Sequence, residues 1–196
     1  MRTLRLATTN RHKVEEIRAM LEGVPVELLT LADAPPIAEP EETAETFEGN
    51  ARLKGRYYAA RLPDVVVAED SGLEIDALGG EPGVRSARFL RPNATYPERF
   101  DEILRRLGDL EGRARSARFV CAMVAVRGAD VLFETRGVVE GEIAAAPAGT
   151  GGFGYDPIFF VPALGRTLAE AGDAKAAVSH RGQAVRALVR WLTELK

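Results

Sequence analysis

Residues 65–88 read VVVAEDSGLEIDALGGEPGVRSAR, and the fold turns on how they are read. The apolar, β-branched run Val65 to Val67 has the character of a buried strand. It ends in two adjacent carboxylates, Glu69 and Asp70, delivered to an edge of the sheet. Neighbours along a strand point to opposite faces, so Ser71-Gly72 is expected to supply a turn there. Gly79-Gly80 and Pro82-Gly83 then make a compact loop that closes on Arg85 and Arg88. Carboxylates beside a tight loop and arginines point to a divalent metal with phosphate nearby.

Around this stretch the chain has 196 residues, 46% of them hydrophobic, enough for one domain or two closely joined lobes over a real core. A net charge of -3 gives no reason to expect a nucleic-acid surface. The single cysteine, Cys121, allows no intramolecular disulfide. Set in the apolar run Phe119 to Val126, it reads as a buried small hydrophobe in a reducing compartment. The opening MRTLRLATTN lacks a signal-peptide core and no apolar run approaches bilayer length, so the expectation is a cytoplasmic protein without membrane contact. Of 26 basic residues only four are lysines, and Lys13, Lys54 and Lys175 all fall within or beside the segments that look functional. A compact ammonium suits a point contact to a phosphate oxygen.

Upstream, Thr3 to Thr8 reads as a first strand, and Val14, Ile17 and Leu21 as the stripe of an amphipathic helix closed by Gly23. Thr8-Thr9-Asn10 lies at the junction. Its side chains either cap the helix or, with Lys13 in the first turn, make an anion site at the positive end of the helix dipole. It is not a Walker A loop, because the glycines are missing. Val24 to Leu31 reads as a second strand and Ala32 to Pro40 as a Pro-rich loop. Glu41-Glu42-Thr43 then precedes a helix from about Thr46 to Arg61. A glutamate pair there is either solvated N-terminal charge or part of a site. Phe47, Asn50, Lys54 and Tyr57 share one face of that helix, which turns Asn50 and Lys54 towards the interior, where polar groups need partners.

Downstream, Tyr96 to Leu107 reads as an amphipathic helix, and Ser116 to Val126 and Val131 to Ile143 as two long strands joined by a turn at Arg127 to Asp130. Gly149 to Phe160, GTGGFGYDPIFF, has too many glycines for a regular element. Its Phe153, Tyr155 and Asp156 either fill the core or offer a ring and a carboxylate to a flat heterocycle. Lys175, Ser179, His180 and Arg181 precede a final helix whose buried stripe is Val185, Leu188, Val189 and Leu192. Ser179 can cap that helix, placing His180 and Arg181 at its positive end.

The set ATTNRHK (7–13), EET followed by F-x-x-N-A-x-x-K (41–54), AEDSGLEIDALGGEPGVRSAR (68–88), GTGGFGYDPIF (149–159) and SHRGQA (179–184) resembles the inosine/xanthosine triphosphate pyrophosphatase family. The resemblance implies an elongated α/β fold, a mixed sheet flanked by helices with two lobes around a central cleft, in one domain spanning 1–196 and assembled as a homodimer. It implies hydrolysis of ITP, dITP and XTP to the monophosphate and pyrophosphate with Mg2+. By position, Asp70 matches the general base, and Glu41 and Asp70 the metal-binding carboxylates, with a metal role for Glu69 left open. Thr8, Thr9, Asn10, Arg11, His12, Lys13, Lys54 and Ser71 match the phosphate contacts. Phe153, Gly154, Tyr155, Asp156, Lys175, His180 and Arg181 match those around the base. The chain departs from the pattern at Thr9, where many relatives have Gly, and at Glu69, where many have Asp.

The chemistry is consistent with those residues. Attack on a phosphorus ringed by negative oxygens needs charge neutralisation and a water deprotonated by a nearby carboxylate. A 6-keto purine accepts from Lys175, His180 or Arg181, whereas the amino group of adenine leaves such donors unpaired. Two other readings stay open on the residues: a pyrophosphatase for modified bases such as pyrimidine nucleotides, and a non-catalytic nucleotide-binding protein.

Overall fold

The computed structural model describes residues 2–194. In chain order it has β1 (Arg2–Leu6), α1 (Arg11–Met20), β2 (Val26–Thr30), α2 (Phe47–Ala59), β3 (Val65–Ile75) and α3 (Tyr96–Leu107). These are followed by β4 (Ser116–Arg127), β5 (Asp130–Ile143), β6 (Phe159–Val161), β7 (Arg166–Thr167), α4 (Ala174–Val178) and α5 (His180–Glu194). The strands form one open, mixed sheet in the order β2-β1-β3-β4-β5-β6-β7. No helix among the described residues is long and apolar enough to cross a membrane. The chain divides into two compact units, one drawn from 1–70, 121–137 and 180–196, the other from 71–120 and 138–179.

In the first unit β1 runs parallel to both β2 and β3, with Leu4 opposite Leu28 and Val65, and Leu6 opposite Val67. Parallel neighbours need crossovers, which α1 and α2 supply. Strand alternation then sorts the β3 side chains. Val65 and Val67 join Leu4, Leu6, Cys121 and Met123 in a core completed by Ile17 of α1 and by Val185 and Leu188 of α5. Ala68 lies on the other face, towards α2, where Gly55 permits close packing: a Cβ there would lie 2.8 Å from Val126 Cγ2 and 2.9 Å from Val124 Cγ2. Helix α5 makes a similar approach at Gly137 of β5, where a Cβ would run into the His180 carbonyl oxygen and lie 3.0 Å from the Ala184 nitrogen.

One expectation is corrected here. Ser71-Gly72 is not a turn, because β3 continues through both to Ile75. Gly72 is required by proximity instead: a Cβ would collide with the Ser86 hydroxyl and lie 2.7 Å from the Gly83 carbonyl oxygen. Glu69 and Asp70 therefore stay on opposite faces of one extended strand.

The second unit is built on α3, whose bounds match the sequence expectation. Thr95 caps it, with Glu98 returning a bond to the Thr95 amide at 2.7 Å. Its apolar stripe, Phe100, Ile103 and Leu107, packs with Leu73, Ile75, Phe119 and Phe159. A second correction falls at the Gly-rich segment. Irregularity stops short of Phe159, where β6 begins and pairs antiparallel with β5, Ile143 opposite Phe159. The glycines end at 154, and the apolar residues beyond are free to extend along the sheet.

Candidate active site

The acids sit where the apolar run of β3 ends. Asp70 faces α2, and Asn50 donates from Nδ2 to Asp70 Oδ2 at 3.1 Å. The other end of the Asn50 amide accepts from the Ala44 amide at 2.9 Å, which fixes the segment leading into the helix. One turn along, Lys54 Nζ lies 2.7 Å from Glu42 Oε1 and 3.4 Å from Asp70 Oδ1. Burial works to deprotonate Lys54, but Asp70 and then Glu42 outweigh it and hold the ammonium above its ordinary value. Burial has the opposite consequence for Asp70. Its carboxyl is pushed above the usual range, with Lys54 opposing and Glu42 adding to the rise. A carboxylate made more basic, beside a retained cation, is suited to taking a proton from water.

Glu69 points the other way. Its Oε1 lies 3.1 Å from Lys13 Nζ and 3.2 Å from Arg181, while its Oε2 accepts from the Cys121 thiol at 3.3 Å. Arg181 also reaches Glu16 Oε2 at 2.7 Å through Nη1. Burial would raise Glu69, but Arg181 and then Lys13 hold it well below the carboxylate range. Burial and the Glu69 charge push the Cys121 thiol up, leaving it the inert small hydrophobe the sequence indicated.

The remaining sequence candidates fall as follows. Asn10 caps α1, its Oδ1 accepting from the amides of His12 at 3.0 Å and Lys13 at 3.3 Å. The capping reading of that junction is thus realised, and Lys13 is its charged component. Thr8, Thr9 and Arg11 line a pocket of about 560 Å³ with Val14, Thr30 and Leu31, and the Thr9 hydroxyl donates to Glu39 at 2.6 Å. Arg11 and His12 are exposed. Of the glutamate pair, Glu42 is the one brought to Lys54, whereas Glu41 is exposed. His180 and Arg181 are buried at the start of α5, and Arg181 is engaged with Glu69 and Glu16. The sequence reading named Glu42 only as one of a pair and missed Glu16 and Ser86. Glu16 had a signal, since it stands three residues after Lys13 on the same helical face.

In the second unit, Asp156 Oδ2 accepts from the Phe153 amide at 2.8 Å and from Lys175 Nζ at 2.7 Å. That ammonium sits 5.1 Å from the centroid of the half-buried Phe153 ring. Gly152 and Gly154 hold positive φ around it, and a Cβ at Gly152 would strike the Asp156 carboxylate. Tyr155 belongs to the core. Its hydroxyl donates to the Ser86 carbonyl at 2.8 Å, and its ring meets Tyr96 edge-on at 5.3 Å. Ser86 in turn accepts the Leu73 amide on Oγ at 2.9 Å, tying the Gly-rich loop to the continuation of β3. Ser71 lies on that continuation.

The model of the Ham1 family matches residues 4–191. The chain belongs to the Ham1 family. Among relatives, a dITP/XTP pyrophosphatase of Thermus thermophilus is 48% identical over 185 residues, 94% of this chain and 88% of that one. A dITP/XTP pyrophosphatase of an Exiguobacterium species is 46% identical over 93% of both chains. The structure of a HAM1 protein from Coxiella burnetii superposes with a TM-score of 0.88 at 40% identity, covering 99% of this chain and 100% of that one. Ham1 membership implies a divalent metal, and the donors present bear on it. Among the described residues no three His, Cys, Asp or Glu side chains converge. Two carboxylates, Asp70 and Glu42, do share one cation, the Lys54 ammonium. That set fits a cation such as Mg2+, which takes one or two carboxylates and fills its shell with water and phosphate.

Proposed function

We propose that this Ham1-family chain hydrolyses non-standard purine nucleoside triphosphates, ITP, dITP and XTP, to the monophosphate and pyrophosphate. The observation that carries the reading is the full-length likeness to relatives named dITP/XTP pyrophosphatase, at 46–48% identity. The site geometry supplies the roles. Asp70, raised by burial and oriented by Asn50, accepts the proton of the attacking water. Lys54 and Lys13 offset the charge gathering on the phosphate oxygens and on departing pyrophosphate. Mg2+ would be held by Asp70 together with the glutamate pair, Glu41 on the family resemblance and Glu42 on its approach to Lys54. When bound it supplies further neutralisation of the phosphate charge.

The base is assigned to Phe153, Asp156 and Lys175. The Phe153 ring offers a stacking face and Lys175 a donor to a 6-keto oxygen. Adenine presents a donor at that position and leaves the lysine unmatched, the kind of mismatch that discriminates strongly. From the family resemblance the proposal also takes a single catalytic domain, a homodimer and a cytoplasmic location. Light scattering on the purified chain reads the dimer.

The deciding assay is pyrophosphate release from ITP, XTP, dITP, ATP, GTP and dTTP at equal concentration, with Mg2+ and with chelator. The proposal expects inosine and xanthosine nucleotides to lead ATP by at least about a hundredfold in kcat/KM, roughly 2.7 kcal/mol. Equal turnover of ATP, preference for a pyrimidine nucleotide, or binding of ITP without hydrolysis would overturn it.

A further inference from the structure

Two adjacent acids at the end of β3 invite the assumption that both ligate metal. The structure assigns them different work: we infer that Glu69 is a positioning residue that holds Lys13 for the triphosphate and is not a metal ligand. The inference rests on the proposed function for its substrate class, a chain of anionic phosphate oxygens.

Because β3 runs straight through 69–72, Glu69 and Asp70 cannot reach one ion from the same face. The Glu69 side chain has 0% of its surface exposed, and both oxygens are engaged. Oε1 is shared by Lys13 Nζ at 3.1 Å and by Arg181 Nε and Nη2, each at 3.2 Å, and Oε2 takes the Cys121 thiol. A metal ion would have to displace two cations from a group with no exposed surface. Removing the partners of a buried charge is among the costliest changes a protein interior can undergo.

What the arrangement does is brace α1. Arg181, 2% exposed, joins Glu69 to Glu16 at 2.7 Å, and Glu16 stands one turn beyond Lys13 on the same helix. Glu69 thus grips Lys13 directly and, through Arg181, the helix that carries it. Within the ion pairs of Glu69 the Lys13 side chain is the one that reaches solvent, with 15% of its surface exposed. A lysine on a four-carbon stem loses much rotamer freedom when it meets a phosphate. Bracing it beforehand moves that loss into folding and strengthens binding of the anion.

The test uses the full chain with Glu69→Gln, Lys13→Gln and the double variant. Inorganic tripolyphosphate binding is measured by calorimetry without metal, Mn2+ binding by electron paramagnetic resonance, and kcat and KM with ITP. Glu69→Gln is expected to weaken tripolyphosphate and to lower kcat/KM for ITP about tenfold, with Mn2+ affinity changed less than threefold. The double variant is expected to bind tripolyphosphate within twofold of Lys13→Gln alone, because Glu69 acts through Lys13. Glu69→Asp, which keeps the charge, is expected to recover most of the affinity, and it serves if the Gln variant does not fold. A tenfold loss of Mn2+ affinity in either Glu69 variant would make Glu69 a ligand and overturn the inference. So would a lowered unfolding midpoint with unchanged tripolyphosphate binding, or full additivity in the double variant. If the wild type hydrolyses no nucleotide, the proposed function falls, while the tripolyphosphate cycle still reads the Glu69–Lys13 coupling.

Discussion

Asn50 holds Asp70 from across the α2–β3 packing, donating to its carboxylate at 3.1 Å while accepting the Ala44 amide. The side chain is wholly buried, so both ends of the amide must be satisfied in place. Asn50→Ala removes the orientation of Asp70 and strands the Ala44 amide. We expect a fall in kcat of about tenfold or more with little change in KM, and a stability loss of about 1–3 kcal/mol. Steady-state kinetics with ITP and urea unfolding measure the two separately.

Asp70→Asn keeps the shape and removes the base. Loss of turnover by a factor of about 10² to 10⁴ is expected, with circular dichroism and the unfolding midpoint showing the fold retained. Full activity in this variant would remove Asp70 from its role. Of the neighbouring glutamates, Glu42→Gln is expected to cost at least tenfold more activity than Glu41→Gln, because Glu42 reaches Lys54 at 2.7 Å and Glu41 is exposed.

Lys175 is clamped by Asp156 at 2.7 Å beside the Phe153 ring. Lys175→Ala should lower kcat/KM for ITP by about ten- to a hundredfold and leave ATP far less affected, so that the ratio between them collapses. An equal loss on both nucleotides would assign Lys175 to general binding instead of base choice.

Glu102 on α3 binds Arg105 through two bonds of 2.9 Å and Arg106 at 2.6 Å, and those guanidinium bonds, Arg105 first, lower its pKa from 4.5 to about 2. A folded-state value below the unfolded one means that the stabilisation is fully present above pH 4.5 and is lost as pH falls through about 2. Glu102→Gln should therefore flatten the stability profile in that window and leave its slope at neutral pH unchanged. Urea midpoints taken from pH 2 to pH 7 test this. The effect is small, because the pair is solvent-screened.

Much of this was legible in local pattern. The stripe of α3, the long β4 and β5 strands and the inward face of α2 bearing Asn50 and Lys54 all follow from periodicity, and periodicity is enforced by burial. What local pattern did not show shares a physical cause. Ser71-Gly72 looks like a turn because its composition suits one, but the glycine answers to Ser86, a residue distant in sequence. Glu41 and Glu42 lie outside any regular element, so no period selects which of them turns inward. Arg181 looks like a donor at a helix start, and only the tertiary structure shows it spent on Glu69 and Glu16. The aromatic pair divides likewise, Tyr155 going to the core and Phe153 remaining half-buried.

The brace through Arg181 also sets an order of construction. Glu69 is synthesised 112 residues before the guanidinium that offsets its charge, and Glu16 earlier still, 165 residues ahead. Domains form as their sequence leaves the ribosome, yet this unit draws on three separated stretches, the third of which carries α5. While α5 is still unmade, β3 carries a carboxylate meant for burial with only part of its counter-charge, and the apolar faces of Val185 and Leu188 are missing from the core. A chain without α5 therefore lacks both the guanidinium that meets Glu69 and Glu16 and the apolar contacts of Val185 and Leu188.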